Sequence, residues 1–179
     1  MKTNFLTLIL VLCVTFVSAQ TFQLKPDESK MTIKGTSTLH DWESEVESIS
    51  ASAEVEDKTI RRGTFEAEVR SIKSGNSTMD DNTYKAMDAD KYPKIFFSME
   101  NQKLEGGKMP VSGKLTIAGT TRTVDLSLIA EQWAEDQLLL KGVYTFDMSD
   151  FGIDPPRAML GAIRTDDEIT VEFSIALQR

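Results

Sequence analysis

The residues best suited to acid–base chemistry are His40 and Asp41, which are adjacent in the chain. His40 is the single histidine, so any imidazole chemistry would depend on it. Neighbouring residues of an extended chain point to opposite sides, so Asp41 is poorly placed to orient the His40 ring as the acid of a triad does. The sequence also lacks a Gly-x-Ser-x-Gly nucleophile motif. These observations argue against a serine-hydrolase type of enzyme.

Potential metal ligands are equally sparse. Cys13 is the only cysteine, and one imidazole without thiolates does not make a zinc site. Asp88 and Asp90, like Asp147 and Asp150, lack the spacing of a calcium loop. We therefore predict no catalytic residue, no metal and no cofactor, and a protein that is not an enzyme.

The N-terminus has the pattern of a secretory signal peptide. Lys2 precedes an apolar run from Phe5 to Val17, and small residues up to Ala19 suit cleavage before Gln20. The run is shorter than the roughly 20 residues that cross a bilayer. We predict a cleaved signal peptide at 1–19, a single domain at 20–179, and a periplasmic or secreted protein that does not span a membrane. A retained N-terminal anchor is the alternative.

Length and charge narrow the class of protein further. The chain has 179 residues and a formal net charge of −8. Its length fits one domain with its own core. An acidic surface is repelled by nucleic-acid phosphates, so nucleic acid is not expected as a partner.

Alternation of apolar and polar residues dominates the chain after the signal peptide. Residues 168–175 alternate at every step, and residues 63–70 do the same. This period indicates strands with one dry and one wet face. Glycine-containing segments at 105–108 and 118–121 are hairpin signals. Counting the runs predicts eight or nine antiparallel strands in a barrel or a sandwich.

Two stretches interrupt the alternation. Residues 78–87 predict a short helix with Thr78 as its N-cap. Residues 150–166 form an apolar loop that contains two prolines. Its hydrophobic side chains must cover another part of the protein.

The charged residues of the strands indicate which face points inward. An outer-membrane barrel would hold polar residues inside and turn its apolar face to lipid. Unpaired charges inside a narrow barrel are costly, so the apolar face should point inward. The charged residues opposite the hydrophobic ones are Glu66, Glu68, Arg70, Lys114, Glu168 and Glu172.

The interior of such a barrel either fills with side chains or holds one ligand. Small inward residues such as Ala67, Gly113, Ala130 and Gly142 would leave room for a ligand, and inward methionines would adapt to an apolar one. The predicted helix and the apolar loop could equally fill the space. Composition leaves both possibilities open.

Four segments of the sequence carry a resemblance to a known family. The most specific parts are Tyr92-Pro93-Lys94-Ile95-Phe96-Phe97 and the hairpin Leu115-Thr116-Ile117-Ala118-Gly119-Thr120-Thr121. The other two segments run from Gly35 to Trp42 and from Phe146 to Ile153. In this order and spacing they resemble the YceI-like family over essentially the whole predicted mature chain.

The resemblance implies an all-β fold, an extended antiparallel eight-stranded lipocalin-like barrel with a short helix. It also implies a polyisoprenoid chain held in an elongated apolar tunnel. One region differs, because Met79-Asp80-Asp81-Asn82-Thr83 stands where the family often has Arg-Asp-x-His-Leu. Without those basic groups, a neutral isoprenoid quinone or another lipid is as good a candidate as a pyrophosphate.

Together, alternation and resemblance give a predicted binding site with three parts. The ligand-binding wall consists of Ile33, Phe65, Val69, Phe97, Met99, Leu115, Ile117, Leu126, Leu128, Leu140, Tyr144, Phe146, Met148, Val171 and Phe173. The mouth or headgroup residues are His40, Trp42, Asp80 and Asn82. A lid would consist of Phe151, Ile153, Met159 and Leu160, although a packed connector is an equal alternative for that loop.

The sequence thus predicts an exported protein that sequesters or carries a long apolar isoprenoid-type lipid in its barrel. One alternative is an interaction or stress-related structural barrel with a self-filled core. Another is an enzyme acting on lipid, which the missing nucleophile and metal ligands disfavour. The expected partner is a long-chain apolar lipid, and the oligomeric state is open between monomer and homodimer.

Overall fold

The alternating segments form long strands in the computed structural model, which describes residues 19–134 and 136–179 except the side chains of Gln132, Trp133, Ala158 and Met159. All but the last residue of the predicted signal peptide therefore lies outside the described residues. The strands are β1 (Gln20–Leu24), β2 (Lys30–Ser37), β3 (Trp42–Val46), β4 (Ile49–Glu56), β5 (Thr59–Glu68), β6 (Ile72–Lys73), β7 (Lys94–Lys103), β8 (Gly107–Ile117), β9 (Thr120–Trp133), β10 (Gln137–Asp147), β11 (Arg157–Ala158) and β12 (Ile163–Gln178). One α-helix, α1, spans Ser77–Ala86.

The strands close into a barrel because β12 pairs on both sides. It pairs with β10 along its length on one side, and with β1 and β2 on the other. A 3-10 turn at Pro26–Glu28 separates β1 from β2, and β3 and β4 form a second bent strand opposite them. β5 and β6 form a third bent strand, on either side of a 3-10 turn at Val69–Ser71. Counting each bent strand once, and leaving out the two-residue β11, gives eight antiparallel strands. The predicted lipocalin-like barrel is confirmed, and the sandwich alternative is wrong.

Two tight turns show what local sequence can and cannot reveal. Ala118 and Gly119 join β8 to β9 with φ values of 47° and 78°, the left-handed geometry of a two-residue hairpin. The glycine made this turn predictable. Asp57 and Lys58 join β4 to β5 with φ values of 47° and 59°, but neither is glycine, and the sequence did not signal this turn.

Helix α1 begins one residue earlier than predicted, and its N-cap is Asn76 rather than Thr78. The Asn76 side-chain oxygen accepts hydrogen bonds from the backbone N–H groups of Thr78, at 3.0 Å, and Met79, at 3.3 Å. Asparagine is a stronger N-cap than threonine, which accounts for the correction. The helix ends at Ala86 instead of 87.

Tyr84 attaches α1 to the barrel. Its ring is buried, and its hydroxyl lies 2.9 Å from the carbonyl oxygen of Arg70 and 3.0 Å from that of Ile72. The Lys73 ammonium donates to the same hydroxyl at 2.7 Å. The helix is thereby held against β6 and the 3-10 turn that precedes it.

We expect Tyr84→Phe to lower the free energy of unfolding by about 1–3 kcal/mol, because the Ile72 carbonyl oxygen would lose the donor of a buried hydrogen bond. Thermal and urea unfolding would measure the loss. Tyr92→Phe is the matched control, since Tyr92 is only half-buried and stands beside Lys91 at the surface. Equal losses in both variants would show that the Tyr84 hydroxyl does not anchor the helix.

Charged side chains occupy the outer face of the barrel, as the alternation predicted. Cross-strand ion pairs join Lys94 to Glu66 at 2.6 Å and Lys34 to Glu172 at 2.7 Å, all partly exposed. Such pairs contribute little stability, so their main effect is to keep the outer face solvated. Among the described residues, no helix has the length and apolar character that a bilayer span requires.

One end of the barrel is closed by its own side chains. Phe22 and Ile60 are fully buried there, and Leu138 is 1% exposed. They belong to a core cluster that also includes Leu104 and Met109. Any open space in the barrel must therefore lie toward the opposite end, where α1 and the segment after β10 are found.

Candidate functional site

An apolar cavity of about 470 Å³ lies inside the barrel. This volume is within the range of about 300–1,000 Å³ that is usual for small-molecule sites. Several inward hydrophobic side chains remain partly exposed because they border unfilled space rather than other side chains. They are Met31, Ile33, Phe65, Phe97, Leu126, Phe146, Val171 and Phe173. The barrel is thus only partly filled by its own atoms.

The structure brings together fourteen of the fifteen predicted wall residues around this cavity. Val69 is the exception. The alternation placed Val69 on the inward face of β5, but the strand ends at Glu68 and Val69 begins a 3-10 turn. Its side chain is 1% exposed and packs in the core cluster beside Val46 and Ile72. Whether the fourteen bind a ligand stays a prediction.

Three of the four predicted mouth residues, His40, Trp42 and Asn82, line the open end of the cavity. The His40 ring donates from Nδ1 to the Asp41 carbonyl oxygen at 2.7 Å, so the backbone rather than the carboxylate orients it. Asp80 does not line the cavity. Its carboxylate accepts hydrogen bonds from the Ser74 N–H at 2.8 Å and hydroxyl at 2.6 Å, and so supports the start of α1.

The predicted lid residues do not form one cover. Ile153 lines the cavity, whereas Phe151 is 1% exposed and stands edge-on to Phe146, with ring centroids 5.1 Å apart. Leu160 is fully exposed on a hairpin at the mouth. The side chain of Met159 lies outside the described residues. The first part of this segment is therefore a packed connector.

Several lining residues were missing from the predicted site. Ile169, Ile175 and Leu177 share the parity of Val171 and Phe173 along β12, so the alternation could have identified them. One face of α1 also lines the cavity, through Met79, Thr83 and Ala86, and so does Met87 directly after the helix. The sequence predicted a helix here without indicating whether it fills the barrel or borders a ligand.

Glycines let aromatic rings lie flat against the barrel wall. Gly142 is directly opposite Phe173, and a Cβ on Gly142 would collide with the Phe173 ring. Gly35 has the same relation to the Trp42 ring. A Cβ on Gly113 would collide with the Phe97 ring, although the cross-strand partner of Gly113 is Met99. Small inward residues therefore do not simply leave empty space. They create room by drawing rings of neighbouring strands out of the centre.

Tyr144 adds a polar group to the apolar wall. Its ring stacks on Phe146 with centroids 5.3 Å apart. Burial, and then the nearby Asp150 carboxylate, raise the pKa of the Tyr144 hydroxyl above its ordinary value. The phenol is therefore neutral at physiological pH.

Asp167 holds the turn that follows β10. Its carboxylate accepts hydrogen bonds from the Ser149 hydroxyl at 2.5 Å and from the Ser149 N–H at 2.8 Å. The hydroxyl first, and then the N–H, lower the pKa of Asp167 below its ordinary value. These bonds stabilise the turn under Phe151, which packs against the cavity wall.

Because the folded-state pKa of Asp167 is lowered, its contribution is complete above the unfolded pKa of about 3.9 and is lost as the pH falls through the folded value. We expect the Ser149 amide resonance to stay constant from neutral pH to about pH 4 and to shift below it. An NMR pH titration would measure this shift. Asp167→Asn should remove that step, and an unchanged titration would contradict the assignment.

An antiparallel eight-stranded barrel with a charged outside and a partly open apolar inside has the lipocalin-like architecture. Residues 22–177 match the family model of the YceI-like domain. The chain therefore belongs to the YceI-like family, and the resemblance noted from its motifs is confirmed.

Solved structures share this fold at low sequence identity. Burkholderia cenocepacia BcnA is 20% identical with a TM-score of 0.72, covering 86% of this chain and 98% of that one. A polyisoprenoid-binding domain from Saccharophagus degradans, implicated in plant cell wall breakdown, is 11% identical with a TM-score of 0.72, covering 88% and 97%. The Campylobacter jejuni YceI protein is 16% identical with a TM-score of 0.58, covering 99% and 93%. A comparison with curated proteins gave no match.

Proposed function

We propose that the protein is an exported carrier or store of a long apolar lipid of the isoprenoid type. The observation that carries the proposal is the cavity of about 470 Å³, whose inward hydrophobic residues stay partly exposed. Each methylene that moves from water into such a cavity contributes roughly 0.8 kcal/mol. A long chain can therefore be retained without strong polar contacts.

The distribution of polar groups indicates how the ligand lies. His40, Asn76, Asn82 and Arg157 line the cavity at its mouth, while the wall deeper inside is almost wholly hydrophobic. An apolar chain would extend inward, and a small polar end would remain at the mouth. Membership of the YceI-like family and the polyisoprenoid-binding neighbour support the isoprenoid class.

The charge of the mouth favours a ligand with a neutral headgroup. Arg157 is the only lining residue with a permanent charge among those described. One arginine is a weak match for the multiple charges of a pyrophosphate. An isoprenoid quinone or alcohol suits this mouth better.

Organic extraction of the protein purified from its native host, followed by mass spectrometry, tests the binding function. We expect one isoprenoid lipid per barrel, at a ratio close to one to one. Extracts without lipid from the native host and from a second host would favour the structural barrel instead. Extracts that contain only phospholipid would contradict an isoprenoid ligand but would still support a lipid carrier.

Export has its own test. N-terminal sequencing of the protein recovered from the periplasm or the medium should begin at Gln20. A chain that starts at Met1 and stays with the cytoplasmic fraction would contradict export, whatever the extraction experiment shows.

A further inference from the structure

Two of the large exposed hydrophobic side chains lie at the mouth of the cavity. The described residues with such side chains are Leu39, Ile129, Val143 and Leu160. Leu39 is 65% exposed and borders the cavity opening, and Leu160 is fully exposed on the hairpin that starts at Arg157. Leu160 also has a left-handed backbone, with φ of 55°, which is unfavourable for a residue with a side chain. Neither leucine packs in the core of the fold, so core packing does not explain a hydrophobic residue at these two positions.

The two leucines belong to one platform, because their loops are hydrogen-bonded to each other. The Thr38 N–H donates to the Arg164 carbonyl oxygen at 3.0 Å, and the Arg164 N–H donates to the Thr38 hydroxyl at 3.2 Å. The Thr38 hydroxyl also donates to the Ala162 carbonyl oxygen at 3.4 Å. The leucines can therefore meet the same partner together.

A pair of arginines stands at the base of the same hairpin. Arg157 and Arg164 are direct cross-strand partners in β11 and β12, and like charges in that relation repel. Among the described ion pairs, neither arginine contacts a carboxylate. The six residues between them, Ala-Met-Leu-Gly-Ala-Ile, are uncharged. The hairpin thus combines an apolar tip with a base that would be stabilised by an external anion.

We propose that this rim, formed by Leu39, Leu160, Arg157 and Arg164, docks on the surface of an anionic phospholipid bilayer. The leucines would enter the acyl region while the arginines contact lipid phosphates. The proposal rests on the lipid-carrier function, since a mouth pressed against a bilayer lets an apolar ligand pass without crossing water.

A bilayer fits this rim better than a folded protein does. Two leucines on loop tips offer no continuous surface for a rigid partner, whereas fluid lipid adapts to them. The net charge of −8 repels the rest of the surface from anionic lipid, so only the rim is favoured. Asp154 and Asp166 flank the hairpin, so the arginines alone would bind weakly and the leucines are also needed.

Co-sedimentation of the mature protein with vesicles of phosphatidylglycerol and phosphatidylethanolamine tests the proposal. We expect binding to these vesicles and much weaker binding to pure phosphatidylcholine. Leu160→Ser should reduce binding by about tenfold or more, since burial of one leucine is worth at least that factor. Arg164→Gln should weaken binding and reduce its dependence on salt. Val143→Ser, which alters an exposed hydrophobic residue on the barrel wall, should bind like the wild type.

A second measurement separates this proposal from the carrier function. Uptake of an isoprenoid alcohol from dilute ethanol should be unchanged in Leu160→Ser, because Leu160 does not line the cavity, while transfer from vesicles should slow. If the wild type did not take up the isoprenoid alcohol, the carrier function would be contradicted. The co-sedimentation result would then decide membrane docking on its own. The docking proposal would be overturned if the wild type did not bind anionic vesicles. It would also be overturned if Val143→Ser and Leu160→Ser lost vesicle binding to the same extent. A wild-type dimer that Leu160→Ser dissociates, without vesicle binding, would assign the leucines to self-association instead.

Discussion

Leu126→Glu should abolish uptake of apolar lipid, with a loss of affinity of about two orders of magnitude or more. Leu126 lies on β9, borders the cavity and is only half-buried, so a glutamate can enter there without filling a packed core. Its carboxylate would have to lose its hydration when the lipid binds, which costs several kcal/mol. Binding of a fluorescent isoprenoid analogue, measured by titration, would show the loss.

The neighbouring residue supplies a matched control for this variant. Ser127 follows on the same strand and faces outward, in the groove of the outer wall. Ser127→Glu introduces the same side chain at almost the same height and should leave uptake intact. Equal losses in the two variants would mean that the inward and outward faces have been assigned wrongly.

The pH dependence of lipid uptake by Leu126→Glu shows whether the loss comes from the charge in the cavity or from unfolding of the protein. A carboxyl in an apolar site has a raised pKa, so it becomes neutral as the medium is acidified. Uptake by the variant should therefore recover in part between pH 7 and about pH 5. An unfolded variant would show no recovery, and circular dichroism would identify it.

Gly142→Leu should shorten the longest lipid chain that the barrel accepts. Any side chain at position 142 collides with the Phe173 ring, which would have to move into the cavity. Overpacking of this kind also costs about 1–3 kcal/mol of stability. Competition binding with isoprenoid alcohols of increasing length should show a reduced maximum length, and thermal unfolding should show a lower Tm.

Val143→Leu is the control for this steric effect. Val143 is the next residue of β10, faces outward and is 58% exposed, so its enlargement should affect neither chain length nor Tm. Unchanged length preference in Gly142→Leu, with a folded protein, would show that the Phe173 ring does not limit the cavity.

Period-two alternation was a reliable guide wherever a strand is regular. It placed Leu126, Phe146 and Phe173 inside, and Glu168 and Glu172 outside, because successive side chains of a strand point to opposite faces. It failed at Val69, because the strand ends one residue earlier and a 3-10 turn redirects the chain. The alternation of apolar and polar residues does not indicate the residue at which the hydrogen-bonded pairing of a strand ends.

Local chemistry had similar limits at turns and at the helix. The glycine at position 119 marked one hairpin, but the Asp57–Lys58 turn is left-handed without glycine. Asn76 rather than Thr78 is the N-cap because its side-chain oxygen accepts hydrogen bonds from two backbone N–H groups of the first turn. Asp80 was expected at the mouth and instead bonds to Ser74, a contact that forms only once the helix is in place.

The amino-acid sequence by itself determined that this chain is an antiparallel all-β protein with an apolar inside and a charged outside, and its family resemblance implied a barrel rather than a sandwich. The physical reason is that charges cannot remain unpaired in a narrow dry interior, so the faces of alternating strands have a single acceptable orientation. Only the tertiary structure decided that the interior stays partly open and where it opens. That volume depends on contacts between distant residues, such as the Phe173 ring lying over Gly142, and on the rim formed when the loop of Leu39 joins the hairpin of Leu160.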